Sequence, residues 1–241
     1  MKKRTKLIIT SLCAAVVVVS AIIAIPVLTA DRLPSDVLSA EKIKALRTEY
    51  PVYTENPPML EMGETHLSWS IWSSNTILMA RSTGKRVEFT DSYTMDSDSN
   101  EAKIAEKTGG GIVHSVERYG YEVEVIKDSA GFFKKGEFIV IANNLSFEPV
   151  TPALKEGMQF IVPVLTNQHS YKEAKGSFWR NGFYYVTDDG YALSAFKETD
   201  YQLTGLKAED VYGKMEELTK AIYGKTMDEM SKWVASQTNS K

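Results

Sequence analysis

The chain of 241 residues contains one cysteine, Cys13, and three histidines, His66, His114 and His169. From Asp31 onward cysteine is absent, which excludes a disulfide framework, a thiol nucleophile and any zinc site with Cys ligands from that part. No two histidines fall at metal-ligand spacing on one element, so no metal site and no cofactor are expected. Nucleophile elbows of the Gly-x-Ser-x-Gly type are missing, and Gly109-Gly110-Gly111 lacks the Lys-Ser/Thr of a phosphate loop. Internal repeats and long low-complexity tracts are missing too. Positive charge is also scarce. Setting aside Lys2, Lys3, Arg4 and Lys6 leaves 24 basic against 31 acidic side chains, a charge of −7. Such a body is a poor partner for nucleic acid or for anionic lipid heads.

What the chain does have is an apolar run from Leu7 to Ala30, 24 residues without a charged side chain. As a helix it would reach about 36 Å, enough to cross a hydrocarbon core of about 30 Å. The basic cluster of residues 1–6 predicts a short cytoplasmic tail, with the remainder outside. Leu28-Thr29-Ala30 also offers a signal-peptidase site, and cleavage after Ala30 would give a secreted protein. The run is longer than a usual signal core, so retention as an anchor is the expectation. Cys13 lacks the small preceding residue of a lipidated cysteine and reads as a thiol within the span.

Beyond the span, residues 31–65 read as a spacer. A short helix is expected over 35–48 from Val37, Leu38, Ile43 and Leu46, and an extended stretch is imposed by Pro51, Pro57 and Pro58. A β domain is expected over 66–200. Leu67, Trp69 and Ile71 alternate with serines as in a strand. Thr76–Arg81 and Arg86–Thr90 suggest a hairpin about Ser82-Thr83-Gly84-Lys85, and residues 112–118 and 121–126 suggest another about Tyr119-Gly120. Further strands are expected over 137–142, 159–165, 182–187 and 191–196. This pattern predicts a mainly β (α+β) fold with a compact antiparallel barrel or sandwich. A C-terminal helical pair over 201–241 follows. Val211, Met215, Leu218 and Ile222 give the first helix its stripe, and Thr226 with Glu229 forms a capping box before the second.

Candidate chemistry is sparse. Ser82-x-x-Lys85 and Lys107-Thr108-Gly109 match short patterns of penicillin-binding enzymes, but they lie too close together and Ser82 falls in a turn. Residues 96–101 alternate oxygen ligands like the start of a calcium loop, yet Glu101 stands where Gly is required, so a solvated acidic loop is expected. Aromatic clusters are the better signal. Two adjacent aromatic strand positions should turn one ring outward, where Arg or Asn can join it around a sugar or peptide. On this basis Trp72, Trp179, Arg180 and Tyr185 are the candidate ligand-binding residues, with no catalytic residue assigned.

From Tyr121 onward, the chain contains Val123-Glu-Val-Ile-Lys127, Gly136-Glu-Phe-Ile-Val-Ile141, Leu154-Lys-Glu-Gly-Met-Gln-Phe-Ile-Val162 and Gly182-Phe-Tyr-Tyr-Val186. With Asp189-Gly190 and Leu206-Lys-Ala-Glu-Asp210, this order resembles poorly characterised bacterial exported or membrane-anchored proteins that carry a domain of unknown function. The resemblance implies a small β-barrel and transfers no functional residue. The leading expectation is a single-pass, non-enzymatic binding or accessory module outside the membrane, with another membrane or cell-wall protein or a wall component as partner. The rival is a cell-wall or peptide hydrolase or transferase, which would require His114 or His169 within reach of Ser and a carboxylate in one cleft.

Overall fold

The chain forms seven strands: β1 (Thr76–Thr94), β2 (Val113–Asp128), β3 (Phe138–Asn144), β4 (Gln159–Thr166), β5 (Ala174–Phe178), β6 (Tyr184–Val186) and β7 (Ala192–Ser194). Five helices accompany them among the described residues: α1 (Ala40–Leu46), α2 (Leu67–Trp72), α3 (Asn100–Lys107), α4 (Ala208–Ile222) and α5 (Met227–Thr238). A 3-10 helix, Leu145–Val150, follows β3. The computed structural model describes residues 37–53, 67–94, 100–109, 113–196 and 203–238. Among these residues no helix is long and apolar enough to cross a membrane. The apolar segment 7–30, the Pro57-Pro58 stretch, His66 and residues 96–99 lie outside them.

The fold is mixed α+β with one seven-stranded sheet, in the order β1-β2-β3-β5-β4-β6-β7. β1 also pairs with β4, Thr76 to Arg81 running opposite Val164 to Gln159. All pairings of named strands are antiparallel except β3 with β5. Leu78 and Ala80 enter one core with Tyr119, Val123, Ile141, Phe160 and Val162. Their neighbours Ile77 and Met79 enter a second core with Ile161, Val211, Met215, Ile222 and Met230 from α4 and α5. Both faces of β1 are therefore covered here, and the strand reads as a continuous apolar run.

Residues 38–53 lie against the first core, where Leu38 and Tyr50 are buried and the Tyr50 ring meets Tyr185 at 5.5 Å. Ser39 caps α1, accepting a hydrogen bond from the Lys42 amide. The Thr226–Glu229 capping box is present, with the Glu229 carboxylate accepting from the Thr226 amide at 2.8 Å and Thr226 Oγ1 accepting from the Glu229 amide at 3.3 Å.

Three sequence expectations are corrected. Residues 67–72 are helical because Leu67 and Ile71, four apart, bury one helical face, while Trp69 and Trp72, three apart, meet edge to face at 5.5 Å. There is no hairpin at Ser82–Lys85: both halves of β1 pair with the same strand, β2, and the extra residues form a bulge at Gly84, whose φ is +78°. Nor does the chain turn at Tyr119-Gly120. Gly120 is an interior strand position where an added Cβ would lie 2.6 Å from Val140 Cγ1, so close packing explains the glycine. The structure also adds α3 and the short strand β5, neither of which the sequence pattern predicts.

Candidate functional site

A cavity of about 720 Å³ opens where α2, the start of α5 and the ends of β3, β4 and β5 come together. This volume is in the range of small-molecule sites. Trp69 and Trp72 from α2, Phe147 from the 3-10 helix, Phe178 and Trp179 at the end of β5 and Met227 from α5 give it apolar walls. Asn143, Asn144, Asn167 and Asn181 contribute amides, and Arg118 and Arg180 contribute guanidinium groups. Two tryptophans are fixed by their indole donors: Trp72 Nε1 donates to the Lys225 carbonyl at 2.8 Å and Trp179 Nε1 to the Ser73 carbonyl at 3.2 Å. Held rings lose little freedom on meeting a ligand.

Arg180 follows β5, and its guanidinium lies 4.5 Å from the centre of the Phe196 ring. Burial lowers its pKa from the ordinary arginine value. Arg118 projects from β2 with its Nε 3.3 Å from Asp91 Oδ2, too poorly aligned to hydrogen-bond.

Asp91 connects this wall to the β4–β5 loop. Its Oδ2 lies 2.5 Å from His169 Nδ1, and its Oδ1 accepts from the Ser170 amide at 2.9 Å and the Ser170 hydroxyl at 3.0 Å. Burial pushes the Asp91 pKa up, but the hydrogen bonds from His169 and Ser170 outweigh it and leave the carboxyl below its ordinary value. On the other side of the imidazole, Nε2 lies 3.4 Å from Ser177 Oγ, and Ser177 lines the cavity. Asn167 Nδ2 is 3.3 Å from the same hydroxyl.

Of the residues singled out from sequence, Trp72, Trp179 and Arg180 are brought together on this cavity. Tyr185 is not among its walls. It is 1% exposed in the first core, while its neighbour Tyr184 is buried in the second, so neither ring of that pair faces solvent. His114 stacks on Tyr93 at 5.6 Å, away from the cavity lining. Ser82 is buried and accepts from the Gly84 amide, and Lys85 pairs with Glu122 at 2.7 Å. No cluster of three potential metal ligands occurs among the described residues. Sequence reasoning missed Asp91, Ser177 and the four asparagines. No local spacing marks them, because Asp91 and His169 meet across 78 residues.

In comparisons with known proteins, the chain matches no family model, no curated protein and no solved structure.

Proposed function

We propose that the chain is a membrane-anchored module whose body, outside the cytoplasm, binds a saccharide of the cell wall in the aromatic cavity. The observation carrying this reading is the convergence of Trp69, Trp72 and Trp179 with Asn143, Asn144, Asn167 and Asn181 around one opening. Indole faces stack on the C–H faces of sugar rings, and side-chain amides both donate to and accept from hydroxyls.

A closed five-stranded barrel is the finer form of the fold proposed. Its support is the circuit of pairings β1-β2-β3-β5-β4 with the return from β4 to β1. Greek-key barrels of this size include the oligonucleotide- and oligosaccharide-binding folds, which use the β2–β3 face and the β1–β2 and β4–β5 loops. Here the cavity takes Arg118 from β2, Asn143 and Asn144 from β3 and Asn167 from the β4–β5 loop. The charge of −7 beyond residue 30 disfavours the polyanionic alternative and leaves the saccharide.

The anchor rests on the uncharged run 7–30 behind Lys2, Lys3, Arg4 and Lys6. Tryptophan fluorescence and calorimetry with soluble wall-derived oligosaccharides test the ligand. Saturable binding that is lost in Trp179→Ala is the expected result, and a folded wild-type protein that binds none of them overturns it. N-terminal sequencing of the membrane fraction tests the anchor, which a mature protein beginning at Asp31 in the medium would overturn.

A further inference from the structure

We propose that Ser177, His169 and Asp91 form a hydrolytic triad on the wall of this cavity, acting on acyl esters of sugars. The proposal rests on the saccharide reading above and adds a reaction to it. Three placements carry it. Ser177 lies on β5 between Gly176 and Phe178, both buried, so alternation directs its hydroxyl to the opposite face, where it borders the cavity. His169 has a side chain only 1% exposed, is packed edge to face on Phe89 at 5.6 Å, and lies between Asp91 and Ser177. Asp91 is itself held by Ser170, so the carboxylate, the loop and the imidazole are fixed together.

The tautomer follows from the partners. An ionised carboxylate only accepts, so in the neutral ring the proton belongs on Nδ1, facing Asp91, and Nε2 is left as the acceptor facing the serine. This is the orientation a general base needs, and a serine–imidazole distance of 3.4 Å is the loose contact common before substrate binds. Burial of the ring and its aromatic packing keep that orientation against rotation.

The reaction balances with water as the second reactant. Ser177 Oγ bonds to the acyl carbon as its proton passes to His169 Nε2 and the carbonyl π pair moves onto oxygen. Asn167 Nδ2, 3.3 Å from the attacking hydroxyl, is an amide donor placed to stabilise that oxygen. Collapse breaks the bond to the sugar oxygen, which takes the proton from Nε2. Water then repeats the sequence on the acyl-serine, giving a carboxylic acid and restoring Ser177. Asp91 is a positioning residue: it orients the ring and stabilises the imidazolium formed in each half.

The test uses the full chain in mild detergent with a fluorophosphonate, p-nitrophenyl acetate and the oligosaccharides already named. One adduct per chain on Ser177 is expected by peptide mass mapping, lost in Ser177→Ala and His169→Ala. Ester hydrolysis should fall about 100-fold in Ser177→Ala. Asp91→Asn should slow hydrolysis and move the acid limb of its pH profile downward, because the imidazolium loses its anionic partner; a carboxylate that only braces the loop would leave that limb in place. Melting temperature, read alongside, shows that each variant is folded. A folded wild-type protein without a Ser177 adduct, or with the same rate as folded Ser177→Ala, overturns the triad. Saccharide binding without an adduct overturns the triad alone, whereas an adduct without saccharide binding overturns the saccharide reading alone.

Discussion

Trp72 Nε1 donates to the backbone carbonyl of Lys225 at 2.8 Å, so the α2 residue that walls the cavity also fastens the link between α4 and α5. The ring and its polar edge therefore serve different ends. Trp72→Phe should keep most of the aromatic surface and lose the hydrogen bond, costing about 1 kcal/mol of folding stability. Urea unfolding measures the loss, and saccharide affinity should fall far less than in Trp72→Ala.

Gly120 and Gly176 occupy equivalent roles on neighbouring parts of the sheet. An added Cβ would lie 2.6 Å from Val140 Cγ1 in the first case and 2.6 Å from Val164 Cγ1 in the second, each also crowding a backbone carbonyl. Alanine at either position should destabilise by about 1–3 kcal/mol through overpacking. Gly213 in α4 has open space around the missing Cβ, so Gly213→Ala should instead stabilise by about 0.5–1 kcal/mol. Thermal and urea unfolding of the three variants would show the opposite signs.

The pH dependence of stability should carry the signature of Asp91. Its folded-state pKa lies below the ordinary value of 3.8, because bonding to His169 and Ser170 outweighs burial. A depressed carboxyl contributes stability that is complete above the unfolded value and disappears as pH falls through the folded one. Asp91→Asn should therefore be less stable than wild type at pH 7, and the gap should narrow as the pH drops below 3.8. Urea unfolding across that range checks it, and a gap independent of pH would contradict the assignment.

Tyr185 and Trp179 should separate structure from binding. Tyr185 is 1% exposed, and Trp179 is 36% exposed on the cavity wall. Tyr185→Phe should leave saccharide affinity within about twofold, a difference of some 0.4 kcal/mol. Trp179→Ala should lower affinity at least tenfold, or about 1.4 kcal/mol. Calorimetry on the two variants, with matched far-ultraviolet circular dichroism, measures both.

Much of this architecture is written in local pattern. Ile139-Val140-Ile141 and Phe160-Ile161-Val162 are unmistakable strand cores, and the Val211, Met215, Leu218, Ile222 stripe marks α4. Residues 67–72 escaped that logic because Leu-Ser-Trp-Ser-Ile satisfies a period of two while also placing Leu67 and Ile71 four apart. β5 escaped because Ala174-Lys175-Gly176-Ser177-Phe178 has little strand propensity of its own; it exists through pairing with β3 and β4 on either side.

The same contrast divides the site. Trp72, Trp179 and Arg180 were legible as clustered aromatic and cationic residues, and all three reach the cavity. Tyr185 stays off the cavity lining because Tyr184 and Tyr185 enter two separate cores, whereas the rule of one outward ring assumes that one sheet face is open. Asp91, His169 and Ser177 were illegible as a set, since only folding brings β1, the β4–β5 loop and β5 together.

The return pairing of β1 with β4 also governs how the chain acquires its shape. Thr76 must find Val164, and Arg81 must find Gln159, across a loop on the order of 80 residues. Topologies dominated by such distant contacts fold slowly, on a scale of roughly milliseconds to seconds. A chain delivered from its N-terminus by the ribosome presents Ile77 to Ala80 to solvent well before Phe160 to Pro163 has emerged. During that interval an apolar strand with an unpaired edge is on offer to any neighbour. The late arrival of β4 leaves that edge of β1 in need of protection during biogenesis.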